Sequence, residues 1–325
     1  MKVLVTGANS LLGTNVILEL IERGYTVRGF LRDKKKFKPP TEEPELYEGD
    51  ISCRDHLSRA SKGCSLLIHT AAVTDPALDR RTHEKINTEG TNNVMEAARD
   101  AGIKRVVFVS TANTIGHGTM ERPGTEAEPP ARPFTDLPYA LSKIKAEKIV
   151  NQSAENYGIK AVTVNPTFII GPWDSKPGSG KIIMMGYNRR LVFVPPGGKN
   201  FIPVKDAAAG VCNALERGKG GERYLLAGEN MKYLEFFRLL KDVTKGNSIL
   251  IPLPKLFLLI AGAGGSLLKL AGRKTAVTIT TMRVLCTGNY YSAGKAEREL
   301  DLPRSSLHVA VKEAVEWFRK HDMIK

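Results

Sequence analysis

The sequence predicts a doubly wound α/β fold: a parallel sheet with helices on both faces, followed by a smaller, mostly helical cap. Three observations carry this. Short β-rich runs alternate with helical patterns through the first half of the 325 residues. A strand, a glycine-containing turn and a helix stand at the N-terminus. The texture then changes at Pro172–Gly180, a Pro/Gly/Ser-rich loop.

The elements follow in order. Lys2–Thr6 reads as a strand and Leu12–Arg23 as a helix with Leu12, Val16, Ile17 and Leu20 on one side. Thr26–Leu31 is the next strand, and a charged loop rich in Lys, Pro and Glu runs on through Pro44. Ser65–His69 and Arg105–Val109 are compact apolar runs of the kind buried in a parallel sheet. Between them Glu84–Ala101 predicts a helix that ends at Gly102. Pro138–Tyr157 predicts a longer helix, with Pro in its first turn and Gly158 beyond its end. Lys160–Asn165 is a further strand, stopped by Pro166. Pro195-Pro196-Gly197-Gly198 makes a second break, and Phe201–Leu226 returns to an α/β pattern expected to rejoin the first domain. Residues 1–171 with 201–228 are thus assigned to one domain, and 172–200 with 229–325 to the cap.

Leu256–Leu268 is the most apolar run. It is shorter than the roughly 20 residues that span a bilayer, and it carries glycines. It predicts a buried or substrate-lining cap helix. The flanking Lys255, Lys269 and Arg273-Lys274 keep a membrane-surface helix as the alternative.

Composition narrows the class. The formal charge of +14 suits acidic ligands, an anionic membrane surface or simply a solvated basic face. No aromatic-interleaved basic motif points to nucleic acid. Cys53, Cys64, Cys212 and Cys286 show neither metal-ligand nor disulfide spacing, which favours a reducing compartment. Met1 leads straight into Val3-Leu4-Val5, so no signal peptide and a cytoplasmic location are expected.

The chemistry rests on a few residues. The turn Thr6-Gly7-Ala8-Asn9-Ser10-Leu11-Leu12-Gly13 suits a dinucleotide pyrophosphate, because a helix start offers free N–H groups and glycines allow close approach. Ser10 stands where a middle glycine is expected. After the second strand come Leu31 and Arg32, then Lys34, Lys35 and Lys36, where a carboxylate would suit an unphosphorylated ribose. A guanidinium suits a 2′-phosphate, so NADP(H) is read over NAD(H). Asp50 and Ile51 are placed to meet the adenine edge, and Thr70, Ala71 and Ala72 follow a strand end at the crevice. His69, in an apolar run, reads as structural. Tyr139 and Lys143 share a helix face four residues apart. A cation beside a phenol lowers its pKa toward neutrality, as an enzyme moving hydride to or from a carbonyl carbon requires.

These motifs, with Asn87 in Asn-Thr-Glu-Gly-Thr, Val109-Ser110-Thr111-Ala112 and Asn165-Pro166-Thr167, resemble the extended short-chain dehydrogenase/reductase superfamily, also described as epimerase/dehydratase proteins. Asn165 to Asp174 and Asn200 to Asp206 resemble most its dihydroflavonol-4-reductase-like branch. The resemblance covers roughly residues 1–230. It implies a Rossmann-type fold and an NADP(H)-dependent oxidoreductase that reduces a ketone or aldehyde to an alcohol. Tyr139 would be the general acid, and Lys143 would bind the nicotinamide ribose and depress the Tyr139 pKa. Thr111, counted back from Gly116, would place its hydroxyl on the substrate oxygen. Pro166 and Thr167 would flank the nicotinamide, Asn87 would be structural, and Asp206 would cap the helix after it. Val73, Thr74, Asn113, His117, Phe168 and Tyr187 stand near the expected mouth, His117 either as a substrate contact or as a surface-loop residue. No metal is implied, and a homodimer is common in the superfamily. The alternative enzyme is a nucleotide-sugar epimerase or dehydratase with retained NAD, although Thr111-Ala112-Asn113 lacks the Asp-Glu pair of the dehydratases. A non-catalytic dinucleotide module is the reading from a different class.

Overall fold

The structure, a computed structural model, describes residues 1–37, 44–273 and 275–324. The chain begins β1 (Lys2–Thr6), α1 (Leu11–Glu22), β2 (Thr26–Leu31), β3 (Glu45–Glu48), α2 (Arg54–Ser61) and β4 (Leu66–His69). A helical run follows, built of α3 (Arg80–His83), a π-helical stretch at Glu84–Glu89 and α4 (Gly90–Asp100). Then come β5 (Arg105–Val109), α5 (Pro138–Tyr157), β6 (Lys160–Pro166), β7 (Phe168–Ile170), α6 (Lys181–Gly186) and β8 (Leu191–Val194). β9 (Gly198–Pro203), α7 (Val204–Arg217), β10 (Arg223–Leu226), β11 (Glu229–Lys232), α8 (Tyr233–Thr244) and β12 (Ile249–Pro252) lead into the C-terminal part. That part holds α9 (Lys255–Leu270), α10 (Ile279–Leu285), β13 (Gly288–Asn289), α11 (Gly294–Leu300) and α12 (Leu307–Lys320).

Seven strands form one parallel sheet in the order β10-β6-β5-β4-β1-β2-β3. The doubly wound, Rossmann-type architecture is therefore present. Its order reverses between β1 and β4, and ligands of such sheets bind in the crevice beyond the strand ends at that point. The central strands are largely apolar because both faces are covered. Val3 and Val5 pack toward α1 and α7, while Leu4 packs toward α2, α4 and α5. Val16, Ile17 and Leu20 of α1 are fully buried, worth about 1.5–3 kcal/mol each.

Several boundaries move for physical reasons. β3 and α2 carry too much charge to show an apolar period, since β3 lies at the sheet edge and α2 buries only Leu57, Ala60 and Ser61. The helix expected from Glu84 starts at Arg80, where the Asp79 carboxylate accepts from the Thr82 N–H at 2.8 Å. α5 has the expected ends, with Pro138 in its first turn and Gly158 at φ 63°. Residues 38–43 of the expected charged loop, and Lys274, lie outside the described residues.

β10 joins the main sheet, as the returning α/β pattern suggested. Tyr291, Ala293, Ala296, Leu300 and Leu302, assigned to the cap from sequence, pack instead with α7 and β10 in the core of that sheet. The remaining C-terminal helices α8 and α12 close a separate core with Ile183, Val194 and Phe201.

The expectation of a buried cap helix over Leu256–Leu268 is corrected. α9 buries only Leu258, Gly262 and Gly265. A Cβ on Gly262 would lie 2.8 Å from Met282 Cγ, so this glycine lets α10 close on one side of α9. Leu256, Phe257, Ile260, Leu267, Leu268 and Leu270 all face solvent. No helix among the described residues is long and apolar enough to cross a membrane.

Candidate active site

The N-terminal turn is built for close approach. Gly7 has φ 73°, and a Cβ there would lie 2.8 Å from the Ala71 backbone. A Cβ on Gly13 would lie 2.2 Å from the Gly7 carbonyl oxygen. Ser10 is the N-cap of α1, its hydroxyl accepting from the Gly13 N–H at 3.0 Å. The hydroxyl thus caps the helix as an acceptor, which is why a serine serves where a glycine was anticipated. The N–H groups of Leu11 and Leu12, beside Asn9, find no main-chain acceptor among the described residues. They would hold a pyrophosphate at the sheet's switch point, and the residues present fit that group.

Around this turn the other predicted nucleotide contacts take their places. Arg32 is exposed at the end of β2 and forms no ion pair among the described residues, although Lys36 pairs with Asp33 at 2.7 Å. The Asp50 carboxylate accepts from both N–H and hydroxyl of Ser52. Burial pushes its pKa up, but those bonds and the Arg32 charge bring it below the ordinary value. Ile51 is buried against Gly90. The Thr70 hydroxyl donates to the Thr6 carbonyl at 2.7 Å, so it shapes the crevice from behind. His69 lies between Thr6 and Thr91, and burial pulls its pKa down to about 3, the structural role expected of it.

The Tyr-Lys pair sits across the crevice. Asn87 clamps the chain after β4 to α5: it accepts from Val73 N–H at 2.8 Å and donates to Ser142 Oγ at 2.9 Å. Ser142 in turn donates to the Tyr139 carbonyl, and the buried His83 ring lies 6.2 Å from the Tyr139 ring. The π-helical stretch carries Asn87 into this position. Thr111 caps the short turn after β5, with its hydroxyl near enough to the Tyr139 phenol to draw the phenol's pKa down.

The phenol's acidity differs from the expectation. Burial pushes its pKa up to about 12, against the opposing influence of the nearby Thr111 hydroxyl. Lys143 is fully buried, and its own pKa falls to about 7 through burial, opposed by the charge of Glu147. Desolvation outweighs the mutual effect that spacing alone suggested.

Glu147, unforeseen from the sequence, organises the base of the site. Its Oε1 accepts from Ser110 Oγ at 2.5 Å, Thr114 Oγ1 at 2.7 Å and Asn165 Nδ2 at 2.9 Å. Asn165 also donates to the Thr111 carbonyl at 3.1 Å. The signal for Glu147 was present, one further helical turn from Lys143 on the same face. Next to Pro166, Thr167 gives its N–H to Leu226 and its hydroxyl to Asn200.

The predicted mouth residues divide. Asn113 accepts from Asn289 at 3.3 Å, His117 stands edge-on to Phe134, and Phe168 stands edge-on to Phe201. Thr74 is exposed beyond β4. Tyr187 is corrected: it is buried in the cap core, its hydroxyl accepting from Arg319 at 2.6 Å. Asp206 lies inside α7 and holds Ser305 through two bonds, so it does not cap that helix.

A Rossmann-type sheet with this turn and this Tyr-Lys helix defines a nicotinamide-nucleotide enzyme acting on CH–OH or carbonyl groups. The chain belongs to the NAD dependent epimerase/dehydratase family, whose profile matches residues 3–227. A "putative dihydroflavonol 4-reductase" of Synechocystis is 33% identical over 99% of this chain and 95% of its own length. "Sterol demethylase protein B" of Methylococcus capsulatus is 32% identical over the whole of both chains. The crystal structure of gox2253 superimposes with a TM-score of 0.85 at 32% identity, covering 99% of each chain.

Proposed function

We propose that the protein is an NADP(H)-dependent reductase that converts an apolar ketone or aldehyde to an alcohol, with Thr111, Tyr139 and Lys143 as its catalytic set. One observation carries the reading: the Tyr139 phenol lies beside the Thr111 hydroxyl, and Lys143 of the same helix is tied to the end of β5. The bound nucleotide supplies the hydride. Tyr139, protonated at neutral pH, gives its proton to the carbonyl oxygen. The Thr111 hydroxyl holds that oxygen as charge develops on it. Lys143, whose pKa burial draws down to about 7, favours the phenolate left behind to the extent that it is protonated.

The exposed, unpaired Arg32 supports the 2′-phosphate over a free ribose hydroxyl. Ser10, Leu11, Leu12, Ala71, Ala72, Pro166 and Thr167 complete the proposed nucleotide contacts, and Asn113, His117 and Phe168 the proposed substrate contacts. The two-part organisation of nucleotide domain and substrate cap belongs to the same reading, as does a cytoplasmic location, which the four free cysteines favour. Tyr139→Phe tests the catalytic set. It is expected to lower turnover at least about 1000-fold while NADPH still binds. Undiminished turnover would end the proposal, and NAD retained through purification would favour the epimerase.

The apolar face of α9 supports peripheral docking on an anionic membrane. Its exposed leucines and Phe257 are bracketed by the exposed cations Lys255, Lys269 and Arg273. Such a surface would bring an apolar substrate to the cap. The homodimer common in the superfamily is tested separately, by sedimentation.

A further inference from the structure

Packing leaves one cation in the substrate wall without a counter-charge. Lys199 lies on β9, in register with Met231 of β11 and Asn289 of β13. Its Nζ is 5.8 Å from the ring centroid of Phe134 and 5.2 Å from that of Phe168. Both rings belong to the site. Phe134 lies in the turn that leads into α5 and Tyr139, and Phe168 directly follows Thr167. Among the described residues, no carboxylate pairs with this ammonium group and no oxygen accepts from it.

Aromatic faces attract a cation, but they replace only part of its lost hydration. Burial accordingly draws the Lys199 pKa down to about 8. Lys199 is half-buried, and two neighbouring polar atoms on the same wall are fully buried and unpartnered. One is Nδ1 of His117, whose ring is 5.1 Å from that of Phe134. The other is Oδ1 of Asn289, a residue 5% exposed whose amide nitrogen bonds Asn113. Buried polar groups normally find partners, and two orphans beside an ammonium group with no counter-charge mark a place completed by a ligand.

We propose that Lys199 takes the anionic group of the substrate, so that preferred substrates have an apolar body, a reacting carbonyl and a carboxylate remote from it. Phe168 holds the apolar body beside the ammonium group, with the buried Phe134 ring packed behind it, and the carboxylate accepts from Nζ. This rests on the carbonyl-reductase reading and narrows its substrate class.

The test sets ω-oxo carboxylates of increasing chain length against their methyl esters, with wild type, Lys199→Met and Lys199→Arg. Wild type is expected to prefer an acid over its ester by about 30-fold in kcat/KM, mainly through KM. Lys199→Met should lose that preference while reducing the esters within about twofold of wild type, and Lys199→Arg should keep part of it. A second arm needs no turnover. In the presence of NADPH, alkanoates from butyrate to dodecanoate should raise the thermal midpoint of wild type but not of Lys199→Met, and the methyl esters should raise neither. Carboxylate binding that depends on Lys199 without reduction of any carbonyl would leave the anion site standing and sink the reductase reading. Reduction of acids and esters alike, or an acid preference that survives in Lys199→Met, would overturn the anion site alone.

Discussion

Lys143 donates a 2.7 Å hydrogen bond from Nζ to the main-chain oxygen of Val109, pinning α5 to the end of the central strand that leads to Thr111. The ammonium group also lies 4.1 Å from the Phe108 ring centroid, with no exposure to solvent worth counting. Chemistry and packing therefore compete at this residue. The proposed chemistry needs its charge, and its surroundings disfavour it.

The competition has a measurable sign. The Lys143 pKa is about 7 in the folded chain against 10.5 for an ordinary lysine. Between those values the unfolded chain binds more protons, so the stability set by this group rises with pH across that window. Lys143→Met is expected to lose activity yet gain roughly 3 °C in unfolding midpoint at pH 6, with the gain gone by pH 10. A variant less stable than wild type at both pH values would show that the Val109 bond outweighs the burial of charge.

The phenol of Tyr139, held near 12, sets the direction of the pH profile. Carbonyl reduction uses the protonated form and should stay flat from pH 6 to 9. Alcohol oxidation uses the phenolate and should climb about tenfold per pH unit over the alkaline part of that range. Oxidation that levels off near pH 7 would mean that the bound state has a far more acidic phenol.

Arg32 decides the nucleotide in this reading. Titration of NADPH and NADH, followed by nucleotide fluorescence, should show an NADPH preference of about 100-fold in wild type that falls about tenfold or more in Arg32→Ala. NADH affinity should stay nearly constant. Equal affinities in wild type would remove the NADP assignment.

Glu147 gathers three donors on one oxygen, so its loss should be costly. Glu147→Ala leaves Ser110, Thr114 and Asn165 without their shared acceptor and is expected to cost about 3 kcal/mol in urea unfolding. Glu147→Gln should recover part of that. An unchanged midpoint in the alanine variant would mean that water replaces the carboxylate.

The α9 surface predicts salt-sensitive binding to vesicles. Flotation with phosphatidylglycerol vesicles at low salt should retain most of the wild type and little of a Phe257→Ser, Ile260→Ser variant, while phosphatidylcholine vesicles retain neither. Wild type that ignores both kinds would refute membrane docking. A concentration-dependent oligomer lost in the same variant would assign the face to a second copy.

The alternation of strands and helices was legible because both periods come from local chain geometry and a shared burial requirement. Strand β1, the α1 turn, helix α5 and strand β6 stand where their residues place them, to within a residue or so. The ends of α5 are local too, since Pro138 starts a helix readily and Gly158 accepts the left-handed backbone that stops one. The edge strand β3 and the polar helix α2 escaped because half-exposed elements need no apolar period.

By itself, then, the sequence determined the doubly wound sheet, the nucleotide turn and the Tyr139–Lys143 helix, because each is specified by residues close together in the chain. Only the tertiary structure decided the electrostatics and the substrate wall. It raised the Tyr139 phenol by burial, sent Tyr187 into the cap core, turned the leucines of α9 outward and set Lys199 between Phe134 and Phe168. Those outcomes depend on which distant segments remove water from a given side chain, and desolvation is a property of the packed neighbourhood that no local run of residues encodes.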